Sequence, residues 1–112
     1  MKLKEVAEKL GLDLKTSVGP LDADVQSAYS SDILSDVMSR AREGSIWITL
    51  QTHANIVAVA DLQSLAGVIL VAGRQPEEDT LEKANAMQVP IFTTKCTAFE
   101  IAGRLYELGI KG

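Results

Sequence analysis

Short apolar runs alternate with polar loops and helical stretches through the second half of the chain. Three of these runs, Ile46 to Leu50, Val68 to Val71, and Ile91 to Phe92, each end in a small polar loop that leads into a helical stretch. Runs that are apolar nearly throughout are typical of strands covered on both faces, and their alternation with helices is typical of β-α units. The pattern predicts an α/β fold, a three-layer-like sandwich with a mostly parallel central sheet and flanking helices.

Helical spacing and helix-end residues predict five helices. They run from Lys2 to Leu10, from a cap at Ser31 or Asp32 to Gly44, from Ala54 to Leu62, from Pro76 to about Met87, and from Thr97 to Gly109. The third is ambiguous, since its valines favour a strand, and we choose a helix capped by Asn55 because parallel strands need a crossover. The last opens with the spacing of a capping box. The predicted buried stripe of the second helix comprises Ile33, Leu34, Val37, Met38 and Ala41.

Three shorter strands complete the predicted elements. Leu14 to Thr16 lies in the turn-rich stretch from Leu12 to Gly19, and Val25 to Ser30 alternates apolar and polar side chains. Pro90 opens the strand Ile91 to Thr93, because a proline at the first strand position removes no essential hydrogen bond. With 112 residues, the chain is predicted to be a single domain spanning residues 1–112.

Charge and composition narrow the classes of partner. The chain is 46% apolar, and its net charge of -4 comes with scattered basic residues, which argues against nucleic-acid binding. No apolar run approaches the roughly 20 residues of a membrane span, and the N-terminus lacks the apolar region of a signal peptide. We therefore expect a cytoplasmic protein that binds neither nucleic acid nor membrane.

The chain contains one cysteine, Cys96, and one histidine, His53. An internal disulfide is excluded, and a zinc site is disfavoured because structural zinc needs four Cys or His ligands. The sequence implies no metal and no organic cofactor.

Polar residues follow each of the three buried strands and form the candidate ligand site. They are Thr49, Gln51, Thr52, His53, Asn55, Gly73, Arg74, Thr93, Thr94 and Lys95. Hydroxyls, amides, two cations and free helix N-terminal amides are groups that hold phosphate or carboxylate, and ligands of open α/β sheets sit at this edge. The same residue types also serve as helix caps and loop residues in α/β proteins, so both interpretations stay open.

Other constellations are weaker. His53 and Cys96 both follow strands and would form a nucleophile and base only if they met at the same edge. Gly67 and Gly73 match neither the phosphate-loop pattern nor the dinucleotide pattern. Asp32, Asp36 and the acidic run from Glu77 to Asp79 are explained by helix starts rather than by magnesium. The first helix lacks the basic recognition helix that a helix-turn-helix protein requires.

Four segments taken together resemble the small stand-alone proteins of the DRTGG-domain family. They are Tyr29 to Met38, Trp47 to His53, Val71 to Pro76, and Val89 to Thr94 followed by Ala98 to Glu100. The resemblance covers nearly the whole chain. Where the five-residue signature of the family is expected, this chain has Gln51-Thr52-His53-Ala54-Asn55.

The resemblance implies an α/β domain that accompanies CBS domains in regulatory pyrophosphatases and occurs in fusions with phosphotransacetylase-like and cobyrinate-synthase-like proteins. It is also similar to the N-terminal domain of HPr kinase/phosphorylase, whose phosphate-binding loop lies in the other domain. The resemblance further implies a homodimer.

These observations favour a non-enzymatic regulatory or assembly domain that dimerises and binds a small anion or nucleotide at the sheet edge. An enzyme of phosphoryl or acyl transfer that uses His53, Arg74, Lys95 and Cys96 is one alternative. The other is an accessory subunit with a protein partner.

Overall fold

The computed structural model describes residues 1–17 and 19–112. Val18, at the end of the stretch predicted to be rich in turns, lies outside the described residues. In chain order the elements are α1 (Leu3–Leu10), β1 (Asp13–Leu14), β2 (Ser27–Ser30), α2 (Leu34–Arg40), β3 (Ser45–Thr49), α3 (Asn55–Leu62), β4 (Gly67–Leu70), α4 (Glu78–Met87), β5 (Ile91–Thr93) and α5 (Ala98–Glu107). Within the described ranges, no helix is long and apolar enough to cross a membrane.

One five-stranded sheet carries the fold, in the order β1-β5-β4-β3-β2. Strands β2 to β5 are parallel and each lies beside the next in the chain, whereas β1 pairs antiparallel with β5 at one edge. Connections of the same handedness that step steadily across a sheet place their helices on the same face, so α2, α3 and α4 all lie on one side. The predicted fold class, a mostly parallel sheet between helices, is confirmed.

Alternating strand side chains build two cores, one on each face of the sheet. Trp47 and Val68 point to the face covered by α2, α3 and α4. Ile48 and Ile69 point to the opposite face, where α1 and α5 supply residues such as Leu105. Because both faces are covered, the central strands are apolar throughout, as the sequence pattern predicts.

Most predicted elements are present within one to three residues of their predicted bounds, and α3 is a helix despite its valines. The predicted stripe of α2 is wrong at Ile33 and Met38, which are both exposed. Only Val37 and Ala41 of that stripe are buried, with Leu34 partly covered. Ile33 and Met38 are exposed because of where α2 lies in the fold. The helix follows the edge strand β2 and packs on α3, so only a narrow side of it contacts the core.

Candidate functional site

All ten predicted ligand residues lie at the edge where the parallel strands end. Thr49 and Thr93 are the last residues of β3 and β5, and both side chains are buried. The others stand in the loops that follow β3, β4 and β5 or in the first residue of α3. The structure therefore brings the predicted set to one edge, and the hydrogen bonds distinguish the side chains that hold the loops from those that face solvent.

Asp32 fastens the loop after β2 to the loop after β3. Its Oδ1 accepts hydrogen bonds from Thr49 Oγ1 at 2.9 Å and from the Leu50 amide at 2.7 Å. Gln51 Nε2 donates to the Asp32 carbonyl at 3.0 Å, and the Gln51 amide donates to Thr49 Oγ1 at 3.1 Å. The interpretation of Asp32 as a helix cap is wrong, because its carboxylate binds the neighbouring loop instead of α2.

Thr52 and His53 fasten the loop after β3 to the helices that follow. The Thr52 carbonyl accepts from Thr80 Oγ1 at 2.8 Å and from the Glu77 amide at 3.3 Å. His53 Nδ1 accepts from the Asn55 amide at 3.1 Å. The prediction that Asn55 caps α3 is wrong, because Asn55 is the first residue of the helix and its backbone amide donates to the imidazole.

The loop after β4 makes a tight turn with two consecutive residues in the left-handed region. Ala72 has φ 57° and Gly73 has φ 74°, and the Arg74 amide donates to the Val71 carbonyl at 3.1 Å. Left-handed backbone at both central positions is the signature of a type I′ turn. The turn is fixed to the loop after β5, because the Ala72 and Gly73 amides donate to the carbonyls of Cys96 and Thr94 at 2.7 Å and 2.9 Å.

The chain changes faces of the sheet between these two loops. The loop after β4 leads to α4 on one face, and the loop after β5 leads to α5 on the other. Such a point, where neighbouring connections diverge, is where open α/β sheets form ligand crevices. Arg74 and Lys95 directly follow the bonded residues Gly73 and Thr94, so their backbones lie in adjoining loops at this point. Both are exposed, and among the described residues neither side chain forms a hydrogen bond or ion pair.

The structure does not support the other candidate groups, which were the His53–Cys96 pair, the glycines and a metal site. No hydrogen bond joins His53 to Cys96, and β4 lies between their loops, so the strands they follow are about 10 Å apart. Gly67 is buried within β4, where a side chain would lie 3.2 Å from the Pro90 carbonyl oxygen, so the glycine serves close packing. Across residues 1–17 and 19–112, no group of three His, Cys, Asp or Glu side chains could hold a metal ion.

A polar network beside β2 was missed by the sequence analysis. Tyr29 donates its hydroxyl to Asp36 Oδ2 at 2.7 Å, and Arg40 Nε lies 3.4 Å from Asp36 Oδ1. The Tyr29 hydroxyl, followed by the nearby Ser31 hydroxyl and more weakly the Arg40 charge, lowers the pKa of Asp36. The same hydrogen bond raises the pKa of Tyr29. The spacing of Asp36 and Arg40, four residues apart, was the available signal.

Large apolar side chains are exposed on two helical surfaces. On the outer side of α5, Phe99 is 90% exposed and Tyr106 is 60% exposed. On the other face of the sheet, Met38 of α2 and Leu62 of α3 border a cleft of about 250 Å³. Contiguous exposed apolar surface on a folded domain commonly marks an interaction site.

Comparisons with known proteins agree with this architecture. The regulatory region of the Clostridium perfringens pyrophosphatase, which contains CBS and DRTGG domains and was solved in complex with its activator diadenosine tetraphosphate, superposes with a TM-score of 0.69. The alignment has 17% identity and covers 93% of this chain and 45% of that one, so the likeness shows the fold, and the chain spans less than half of its neighbour. No curated protein matches the chain.

The family itself is established by the sequence, as the resemblance implied. The model of the DRTGG domain matches residues 28–108, which run from the first parallel strand to the end of the last helix and make up well over half of the chain. The chain belongs to the DRTGG-domain family.

Proposed function

We propose that this protein is a non-enzymatic regulatory domain that works by assembly and forms a homodimer. The observation that carries the proposal is the exposure of Phe99 and Tyr106 on one side of α5. Most polar side chains of the strand-end loops are engaged in holding those loops together, whereas these two aromatic side chains remain largely exposed to water. The homologous domain in the pyrophosphatase belongs to a regulatory region, which supports a regulatory role here.

Sedimentation of the purified chain tests the proposal. The apparent mass should rise from monomer towards dimer between low and high micromolar concentration. A chain that remains monomeric across this range would contradict the homodimer. In that case the exposed apolar surfaces would favour the alternative, an accessory subunit whose partner is a different protein.

A second function, the binding of a small anion or nucleotide, is supported by the point where the chain changes faces. Arg74 and Lys95 flank the diverging loops and have no intramolecular partner among the described side chains. Guanidinium and ammonium groups are the usual partners of phosphate oxygens. The activator of the pyrophosphatase region is a nucleotide with four phosphates, which makes a polyphosphate ligand the first to test.

A thermal-shift titration with pyrophosphate, ATP, acetyl phosphate and diadenosine tetraphosphate tests this second function. A ligand at 100 times its dissociation constant adds about 2.7 kcal/mol, enough to raise the melting temperature by several degrees. The shift should disappear in Arg74→Ala and in Lys95→Ala. Lys83→Ala is the control, because Lys83 is an exposed lysine on α4, away from the diverging loops. A shift of equal size in all three variants would place the ligand elsewhere.

The alternative of an acyl- or phosphoryl-transfer enzyme is tested through Cys96. A catalytic thiol needs a depressed pKa, so it should react with iodoacetamide faster than a free peptide thiol at neutral pH. We expect the rate to be no greater than that of the peptide. Enhanced reactivity that disappears in His53→Ala would restore the enzymatic interpretation.

A further inference from the structure

The outer side of α5 presents a stripe made of Phe99, Gly103 and Tyr106. Residues four and three apart on a helix lie on the same side, so the two aromatic rings stand one above the other with the glycine between them. The opposite side of the helix is buried through Ile101 and Leu105. The stripe therefore alternates a projecting ring, a gap and a second projecting ring.

Gly103 has no role within the folded chain that another residue could not fill. It is in the middle of a regular helix, and a side-chain carbon added there would meet nothing within 4 Å. Glycine is the least stabilising residue in a helix interior apart from proline, and alanine is the best. A glycine at an open helical position allows another backbone to approach closely, as small residues do where helices cross.

We propose that two copies of the chain pack through this stripe, with their α5 helices antiparallel and crossing at Gly103. A two-fold axis near Gly103 places Phe99 of each copy against the partner's Tyr106, because the two rings lie at similar distances on either side of the glycine. Offset stacking of aromatic rings then forms twice in one interface. This inference rests on the proposed homodimer and names the surface that forms it.

Charged side chains of both signs lie beside the stripe. Lys111 Nζ lies 5.0 Å from the centre of the Tyr106 ring, and Glu100 directly follows Phe99. Glu100 and Glu107 lie seven residues apart on one flank of α5, so the two-fold axis brings Glu100 towards the partner's Glu107 as well as towards the partner's Lys111. The like charges offset the opposite pair, so charge adds little to the strength of the dimer.

The free edge of the sheet is a less suitable surface for self-association. The Ala28 amide, on the outer side of β2, donates to the Lys111 carbonyl at 2.9 Å. The segment after α5 thus covers part of the strand edge, as natural proteins do to prevent edge-to-edge pairing. Pairing of two copies along β2 is therefore partly blocked, whereas the outer side of α5 is free for helix packing.

The exposed area predicts the strength of the dimer. At their observed exposures, Phe99 and Tyr106 offer on the order of 300 Å² per copy, against about 800 Å² per partner in a standard interface. Flanking side chains such as Glu100 and Glu107 add area but mostly polar area. We therefore expect a weak dimer, largely dissociated at low micromolar concentration, and not an obligate one.

Variants of the stripe test the inference by sedimentation over a concentration series. Phe99→Glu should be monomeric at every concentration, whereas Leu62→Glu, an apolar-to-acidic change at another exposed site on α3, should associate like the wild type. Gly103→Ala should raise the melting temperature of the monomer yet raise the dimer dissociation constant by about tenfold or more, because a methyl group is added where the helices meet. Tighter or unchanged association in Gly103→Ala would overturn the proposed crossing.

Cross-linking measures the geometry directly. Gly103→Cys in a Cys96→Ser background weakens the dimer as Gly103→Ala does, but at a protein concentration above the raised dissociation constant it should still form an intermolecular disulfide under mild oxidation. Residues at a two-fold crossing come within the roughly 4 to 7 Å between Cα atoms that a disulfide requires. Leu62→Cys in the same background should not. Disulfide formation by Leu62→Cys together with loss of the dimer in Leu62→Glu would overturn the α5 interface and leave the homodimer standing. A wild-type chain that is always monomeric would overturn both.

Discussion

The carboxylate of Asp32 should be coupled energetically to the hydroxyl of Thr49. Thr49 is only 1% exposed, and its Oγ1 donates to Asp32 Oδ1 at 2.9 Å. The same oxygen of Asp32 also accepts from the Leu50 amide. Asp32→Ala removes this shared acceptor, and with it both hydrogen bonds, and leaves the Thr49 hydroxyl without its partner in a buried position.

The size of the effect follows from the exposure of each partner. Hydrogen bonds to a charged group contribute about 1.5 to 3 kcal/mol, but the Asp32 side chain is exposed and water can replace it at the Leu50 amide. We expect Asp32→Ala to lower the free energy of unfolding by about 1 to 2 kcal/mol. Thr49→Val should cost a similar amount, since it also removes the acceptor of the Gln51 amide. Because Thr49→Val removes the unpaired hydroxyl, the double variant should cost about 1 kcal/mol less than the sum of the two single variants.

Urea denaturation followed by tryptophan fluorescence measures this coupling. The only tryptophan, Trp47, is fully buried beside Thr49 in β3, so its emission reports global unfolding. Asp22→Ala is the control, because Asp22 is an exposed aspartate without a described hydrogen bond or ion pair. Additive costs within about 0.3 kcal/mol would refute the coupling, and a cost for Asp22→Ala equal to that of Asp32→Ala would refute the stabilising role of the carboxylate.

Two further substitutions probe backbone strain and protonation. Ala72→Gly should raise the free energy of unfolding by about 0.5 kcal/mol. The left-handed conformation costs an L-residue about 1 to 2 kcal/mol, and the greater chain entropy that glycine loses on folding offsets part of this gain. An unchanged or lower urea midpoint would contradict the prediction. Tyr29→Phe should raise the pKa of Asp36 towards its ordinary value of 3.8, as followed by carboxyl NMR. Since the folded pKa of Asp36 is lowered, the stability that Tyr29 contributes is present above pH 3.8 and is lost as the pH falls further. The free energies of unfolding of wild type and variant should therefore converge in acid. A difference that stays constant with pH would contradict the role of the hydrogen bond.

Local patterns were sufficient for the elements but not for their surroundings. The apolar runs at Ile46 and Val68 identify strands covered on both faces, because only such strands can be apolar throughout. The exposure of Met38 could not be predicted, since helical spacing does not reveal that α2 lies at a sheet edge. Sequence likewise gave no indication that β1 would pair antiparallel with β5, because that contact joins residues far apart in the chain.

In the candidate site too, the sequence predicted which residue types are present but not which partners they bind. Residues such as Thr49, Gln51 and Thr94 were correctly expected at the strand ends, where hydroxyls and amides are common. Their hydrogen bonds to Asp32 and to the Cys96 amide depend on how the loops meet, and residue type alone does not reveal this. Arg74 and Lys95 differ because long cationic side chains reach solvent from a bonded loop.

The two proposed sites are joined by one element. Lys95 stands at the point where the chain changes faces, and Phe99 follows four residues later in the first turn of α5. The Gly73 and Ala72 amides are bonded to the same short loop, so an anion that alters its conformation acts on the start of the helix that forms the stripe. Linkage then requires reciprocity: because the dimer has two sites, a polyphosphate that at saturation tightens the dimer tenfold must bind each site of the dimer about threefold more tightly than it binds the monomer. Sedimentation with ligand and titration of the monomeric Phe99→Glu variant measure the two sides separately. Equal ligand affinity for monomer and dimer would mean that binding and assembly are independent functions of the same domain.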